Sequence, residues 1–292
     1  VILHEFAYLK PGNKQEAFAM LQEYQPDCKV LAGGTDLLLR LKDGNVAPAA
    51  IIDCKVLGLN RIIFTNEEGL YIGAFVTLNE LENNSHVNQR YAALWDAVSH
   101  MATPQVRNKA TLGGNLCNAA PSADTAPPLI VYGAIATMEN PWGERKIAVE
   151  SLFAGPGSLV LSGNDILTGI HLPLPGEKSG AAYEKHRRTE KDLALVGVAA
   201  YLELSAAGNC KRARISLGAV APTPVRAGNA EKFLETGNVS PETIQHAAVI
   251  AAGEAKPVDD VRASAAYRMA MIRELTVRAL TKAWQRACGE GK

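Results

Sequence analysis

Cysteine is scarce and scattered in this chain. There are five in 292 residues, Cys28, Cys54, Cys117, Cys210 and Cys288, never at C-x-x-C spacing. An odd, dispersed set excludes a disulfide framework, a zinc ribbon and a thiolate-held iron–sulfur cluster. It predicts free thiols in a reducing, cytoplasmic compartment. Excess charge is missing too: 30 Lys+Arg balance 30 Asp+Glu, so nothing points to nucleic acid or to an acidic disordered tail. No apolar run approaches the roughly 20 residues needed to span a bilayer. The opening Val1-Ile2-Leu3-His4-Glu5-Phe6 has neither the charged nor the apolar region of a secretory leader. The six histidines are widely dispersed and none is paired with a cysteine or carboxylate at metal-ligand spacing, so no metal site and no histidine base is expected. Neither G-x-G-x-x-G opening a helix nor G-x-x-x-x-G-K-[ST] occurs, which disfavours a Rossmann dehydrogenase and a P-loop kinase.

What remains is an ordinary globular composition, 47% hydrophobic and 21% charged, long enough for two or three lobes that each bury a core. Apolar periodicity predicts a helix over 13–24 and short strands at 29–32 and 50–53, with an apolar stretch at 37–41. A strand pair is expected within 62–77 and helical segments at 78–81 and 92–101, the latter stopped by Pro104. The stretch 105–115 reads as a polar, glycine-rich loop. A hairpin is expected around Asn140-Pro141-Trp142-Gly143, and a strand at 166–172. Beyond Leu174-Pro175-Gly176, strands at 181–185, 195–204 and 210–220 form one antiparallel sheet. Helices near 241–253 and 264–288 cover one of its faces. The expected lobes are 1–55, 56–175 and 176–292, an α+β chain.

Two glycine segments carry the chemistry. Ala32-Gly33-Gly34-Thr35-Asp36 follows a predicted strand, and Thr111-Leu112-Gly113-Gly114-Asn115 ends the polar stretch. Glycine permits positive φ and close approach of a ligand to the backbone, and successive N–H groups in such turns form anion nests. Threonine hydroxyls and the Asn115 amide add donors. Either segment alone is more often a tight turn. Together, with the same flanking residue types, they could grip two phosphates without a lysine.

These segments, with Gln105-Val106-Arg107-Asn108, Pro121-Ser122-Ala123-Asp124, Asp192-Leu193-Ala194, Ala221-Pro222-Thr223-Pro224-Val225-Arg226 and Ser264-x-x-Tyr267-Arg268, follow one order along nearly the whole chain. In that order the chain resembles the FAD-binding subunit of the xanthine dehydrogenase and carbon monoxide dehydrogenase family. The resemblance implies a PCMH-type FAD-binding fold of two N-terminal α/β lobes. A C-terminal antiparallel sheet with helices, like that of the CO dehydrogenase flavoprotein, follows them. It implies pyrophosphate binding by Lys29, Val30, Leu31, Ala32, Gly33, Gly34, Thr35 and Asp36, and by Thr111, Leu112, Gly113, Gly114 and Asn115. It adds FAD contacts from Asp124, Met101, Leu167 and Lys185. Against each stands a plainer role: a helix cap for Asp124, core packing for Met101 and Leu167, a solvated strand end for Lys185. The 187–193 loop resembles one that lies over a flavin face, which would put Leu193 near the ring.

The same resemblance implies partners: a small subunit with 2Fe-2S clusters and a large one with a molybdenum–pterin cofactor, as a dimer of heterotrimers. FAD would collect their electrons and deliver them to an acceptor such as NAD. Two other readings remain open, a stand-alone FAD oxidoreductase of the same fold and a scaffold that has lost its flavin.

Overall fold

A parallel three-stranded sheet opens the chain in this computed structural model, which describes residues 4–290. Val1, Ile2 and Leu3, half of the segment read for a leader, lie outside the described residues. β1 (Ala7–Leu9), α1 (Lys14–Tyr24), β2 (Cys28–Leu31), α2 (Leu37–Lys42) and β3 (Ala50–Asp53) give the order β1-β3-β2. Asn13 caps α1 by accepting from the Glu16 N–H, and Ala17, Phe18 and Leu21 turn inward.

The second sheet has the order β4-β5-β10-β6-β7 and is antiparallel throughout. Its first strands are β4 (Ile62–Thr65) and β5 (Gly69–Gly73). Six helices interrupt it: α3 (Leu78–Glu82), α4 (Ser85–Arg90), α5 (Ala92–Ser99), α6 (Pro104–Arg107), α7 (Leu112–Asn118) and α8 (Ala126–Val131). Then come β6 (Ile135–Asn140), β7 (Gly143–Ala148), a small ribbon of β8 (Phe153–Gly155) and β9 (Ser158–Leu159), and the central strand β10 (Ile166–Leu172). The last sheet is β11 (Ser179–His186), β12 (Val196–Leu204), β13 (Cys210–Gly218) and β14 (Val225–Arg226). Helices α9 (Gly228–Leu234), α10 (Pro241–Glu254) and α11 (Ala265–Ala287) follow it.

Two expectations change here. The stretch 105–115 is not a loop. Pro104 starts α6 at the position where its missing N–H costs nothing, and Thr111 caps α7 by accepting from Gly114 N–H, so both glycines of the second segment are helical. The first two sheets also share one apolar core, which runs from Ala17 through Ile52 and Leu94 to Leu172 and takes in Ala181, Tyr183, Ala199 and Tyr201 from the last sheet, while Leu31, Leu41 and Ile51 form a small cluster apart. The last sheet and its helices build a second core around Val198, Ile215, Ile272 and Leu280. Beyond that apolar packing the two bodies are joined through Asp96 of α5, 3% exposed. Arg286 of α11 reaches its carboxylate at 2.7 Å, Lys282 at 3.2 Å, and the Tyr183 N–H at 3.2 Å. Three donors on one buried carboxylate offset its desolvation.

Cys28, Cys54 and Cys210 are buried, and burial pushes the Cys54 thiol up to about 12. Among the described residues no helix is long and apolar enough to cross a membrane.

Candidate FAD site

The two glycine segments lie back to back. A Cβ on Gly33 would sit 1.9 Å from the Lys109 carbonyl oxygen, so the first loop rests on the backbone leading into the second. Their hydrogen bonding differs. Among the described residues, the N–H groups of Gly33, Gly34, Thr35 and Asp36 donate to no protein acceptor. Gly34 has φ +77°, and the loop is half-buried up to the exposed Asp36. Four successive free donors with a left-handed residue among them have the make-up of an anion-binding nest. Lys29, Val30 and Leu31 belong to β2 and carry this turn at its end.

In the second segment the backbone N–H groups of Leu112, Gly113, Gly114 and Asn115 all have partners. Leu112 N–H goes to Val76 O at 3.0 Å, Gly113 N–H to Ala74 O at 2.9 Å and Asn115 N–H to Thr111 O at 3.0 Å. Gly114 N–H goes to Thr111 Oγ1 at 3.0 Å. This is not the backbone nest that its sequence suggests. Gly113 is required by the protein itself, since a Cβ would lie 2.6 Å from Ala74 O. Gly114 is different: a Cβ there meets only Thr111 Oγ1, at 2.8 Å, and otherwise open space. The segment therefore offers an open surface at Gly114 and side-chain donors on Thr111 and Asn115. Asn115 Oδ1 is fixed by the Thr125 hydroxyl at 2.6 Å, which leaves its amide nitrogen to donate.

Thr125 leads directly to Asp124, which is 3% exposed. Asp124 caps no helix. The capping position of α8 is Thr125, which makes no side-chain cap bond. Asp124 Oδ1 accepts from the Tyr183 hydroxyl and Oδ2 from the Lys185 ammonium, both at 2.7 Å. Nor is Lys185 a solvated strand end: its side chain is 6% exposed. Gly33, Lys109, residues 111–115, Thr125, Asp124 and Lys185 thus form one chain of contacts.

Leu167, at the start of β10, is 5% exposed within the shared core. Met101 packs against that core from its edge. Arg107, quoted in the motif without a role, holds Met101 in place. Its guanidinium pairs with Glu82 at 2.9 Å and donates to the Met101 carbonyl at 3.0 Å. Arg268 does the same for the 187–195 stretch. It is 3% exposed, donates to Leu195 O at 2.6 Å and lies 2.8 Å from Asp260. Tyr267 meets His186 at 2.9 Å. The charges of the 187–193 loop are satisfied locally, Arg188 by Asp192 and Lys191 by Glu190. Arg187 anchors the loop to the His100 carbonyl at 2.7 Å, and Leu193 stands 56% exposed.

A row of free N–H donors, an open glycine surface next to it and a buried ammonium joined to both by a chain of contacts are the donor set of an α+β protein that can take an anionic ligand. Comparison with known proteins makes this specific. Residues 4–175 match the family described as FAD binding domain in molybdopterin dehydrogenase, and residues 181–283 the CO dehydrogenase flavoprotein C-terminal domain. The chain is 33% identical over 292 residues to the xanthine dehydrogenase FAD-binding subunit of Escherichia coli O157:H7, covering 99% of each. It is 33% identical over 282 residues to the carbon monoxide dehydrogenase medium chain of Hydrogenophaga pseudoflava, covering 96% of this chain and 98% of that one. A solved carbon monoxide dehydrogenase from Hydrogenophaga pseudoflava superposes with TM-score 0.94 at 33% identity, over 98% of this chain and 99% of that one. Quinoline 2-oxidoreductase from Pseudomonas putida 86 gives TM-score 0.91 at 29% identity, over 98% and 99%. The chain belongs to the FAD-binding flavoprotein subunits of molybdenum hydroxylase complexes of the xanthine and carbon monoxide dehydrogenase type.

Proposed function

We propose that the chain binds one FAD noncovalently, with the pyrophosphate over the free N–H groups of residues 33–36. The open Gly114 surface, Thr111 and Asn115 close the other side. The observation that supports this most is the row of four uncommitted donors backed directly onto the second glycine segment. The donor set fits a dinucleotide: the nest takes anionic oxygens, and the Lys185 ammonium offers a further cation. FAD, when bound, supplies exchange of one or two electrons. We place the chain in a complex with a 2Fe-2S small subunit and a molybdenum–pterin large subunit, doubled by two-fold symmetry. Electrons would leave toward an acceptor such as NAD.

The chain's own part is to bind, orient and screen. Leu193 is an exposed apolar side chain next in sequence to Ala194, which with Ser122, Ala219, Val220 and Arg268 lines a cavity of about 280 Å³. We assign the 187–193 loop as the gate through which the acceptor approaches. Native protein should carry one FAD per chain, released intact on denaturation; FMN, or no flavin, overturns the reading. Native mass should show two further kinds of subunit. Leu193→Ala should alter stopped-flow reoxidation by NAD or oxygen while FAD content stays constant; unchanged rates with every acceptor remove the gate.

A further inference from the structure

Tyr183 and Lys185 stand two residues apart on β11, so their side chains share one face of the sheet. Both reach the same carboxylate, one on each oxygen of Asp124, at 2.7 Å. Tyr183 is 5% exposed and is fixed at two points. Its N–H donates to Asp96, which Arg286 and Lys282 hold from α11. Its hydroxyl occupies space that exists only because residue 197 on β12 is glycine: a Cβ there would lie 2.4 Å from the tyrosine oxygen. Burial, reinforced by the Asp124 charge, pushes the Tyr183 hydroxyl well above its ordinary range, so it remains a donor.

The Lys185 ammonium has three donors. Among the described residues it has one acceptor, Asp124. A buried ammonium with two uncommitted donors, at the end of that chain of contacts, can take an acceptor from outside the protein. Its aim depends on which Asp124 oxygen it holds.

We propose that Tyr183 is a positioning residue of the flavin site: its hydroxyl immobilises one oxygen of Asp124, so that the other holds Lys185 with two donors free for FAD. The inference rests on the FAD reading above. Without the hydroxyl, Asp124 keeps an unmatched buried oxygen, turns both oxygens toward the ammonium and draws it back. Tyr183→Phe keeps the ring and its packing and removes only that bond. Gly197→Ala keeps the hydroxyl and pushes it off Asp124.

The test uses the full chain with its partners, with FAD titrated back after its removal. The readouts are the FAD dissociation constant and the midpoint potential of bound FAD, for Tyr183→Phe, Lys185→Met and the double variant. Tyr183→Phe should weaken FAD about tenfold, the equivalent of one charge-assisted bond, and shift the potential in the same direction as Lys185→Met. The double variant should match Lys185→Met alone, because Tyr183 acts through Lys185. Gly197→Ala should reproduce Tyr183→Phe, and it decides the case if the latter does not fold. Additive effects, or a wild-type potential and affinity in Tyr183→Phe and Gly197→Ala, overturn the proposal and leave Tyr183 as a strut. The same holds if Lys185→Met changes neither readout. A wild-type complex that takes up no FAD overturns the parent reading instead, and is told apart by that control.

Discussion

The two glycine segments look alike as sequence, each a Gly-Gly pair beside threonine and ending in a short polar residue, yet they do different work. The first leaves four consecutive N–H groups without a protein acceptor. The second has bonded the N–H groups of Leu112, Gly113, Gly114 and Asn115, two of them to the backbone at Ala74 and Val76. The difference follows from what each is attached to. Residues 33–36 hang off the end of a parallel sheet, where the chain leaves the ladder and turns into a short exposed helix. Residues 111–115 are wedged against the turn after β5, and Thr111 bridges to Thr77, so their donors meet carbonyls as the lobe folds. In the proposed FAD site one would supply charge complementarity and the other shape. Glycine has a separate reason at each position. Gly33 and Gly113 admit neighbouring backbone, Gly34 adopts positive φ, and only Gly114 faces open space.

That division can be broken most forcefully at Gly33. With a Cβ 1.9 Å from the Lys109 oxygen, Gly33→Ala cannot be absorbed by a rotamer change and must part the two segments. We expect a loss above about 3 kcal/mol, the upper end for overpacking, read as a lower thermal midpoint together with lost flavin. Gly114→Val should separate those two readouts. Its Cβ disturbs only the Thr111 cap, worth about 1 kcal/mol, while filling the open surface. FAD affinity should fall by more than about tenfold in a protein whose unfolding changes little. Full flavin at native affinity in Gly114→Val would mean that the second segment does not line the cofactor.

Much of this was legible in the residues. The helix over 13–24, the strands around Val30, Ile52, Ile170 and Val198, and the long terminal helix all follow from apolar periodicity, which local packing did not override. What was not legible was long-range. Whether the Gly113 N–H is free depends on Ala74, some forty residues earlier in the chain, and no local pattern announces it. Sequence left a solvated strand end open for Lys185 beside the FAD contact, because its buried partner, Asp124, lies about sixty residues earlier, in the turn between α7 and α8. Tyr183 carried one signal, its i, i+2 spacing from Lys185, which places both on one face. Arg107 and Arg268 were visible in the motifs, but their roles as clamps on Met101 and Leu195 needed coordinates. Pro104 was read as a stop when it is a start, since proline suits both a helix's first turn and its exit.

A smaller effect belongs to Gly34. Its φ of +77° lies in the left-handed region, so Gly34→Ala should cost about 1–2 kcal/mol and tilt the free N–H row, lowering FAD affinity several-fold. Gly34→Asn should recover part of both losses, because asparagine tolerates that conformation. Equal behaviour of alanine and asparagine would show that the cost comes from the Leu31 side chain, 3.0 Å from the new Cβ, and not from the backbone.

The finest distinction between the segments is in how each is anchored, and pH reports it. The first follows Leu31, which pairs across the sheet with Asp53. Burial pushes the Asp53 carboxyl up, but hydrogen bonds from Tyr8 and Lys55, with the Lys55 ammonium 2.9 Å away, outweigh it and hold the carboxyl below its usual range. A carboxyl depressed by folding contributes stability that is full above the unfolded value of about 3.9 and is lost as pH falls through the folded value. Asp53→Asn should therefore lower the thermal midpoint at pH 7, and the gap to wild type should narrow as pH drops below about 4. The second segment is anchored by neutral groups, the Thr111 hydroxyl and two main-chain carbonyls. Thr111→Val should cost about 1 kcal/mol, with a gap that does not change between the same two pH values. If the Asp53→Asn gap also stays constant, its charge is not what anchors the first segment. If the Thr111→Val gap narrows, the neutral anchoring of the second is wrong.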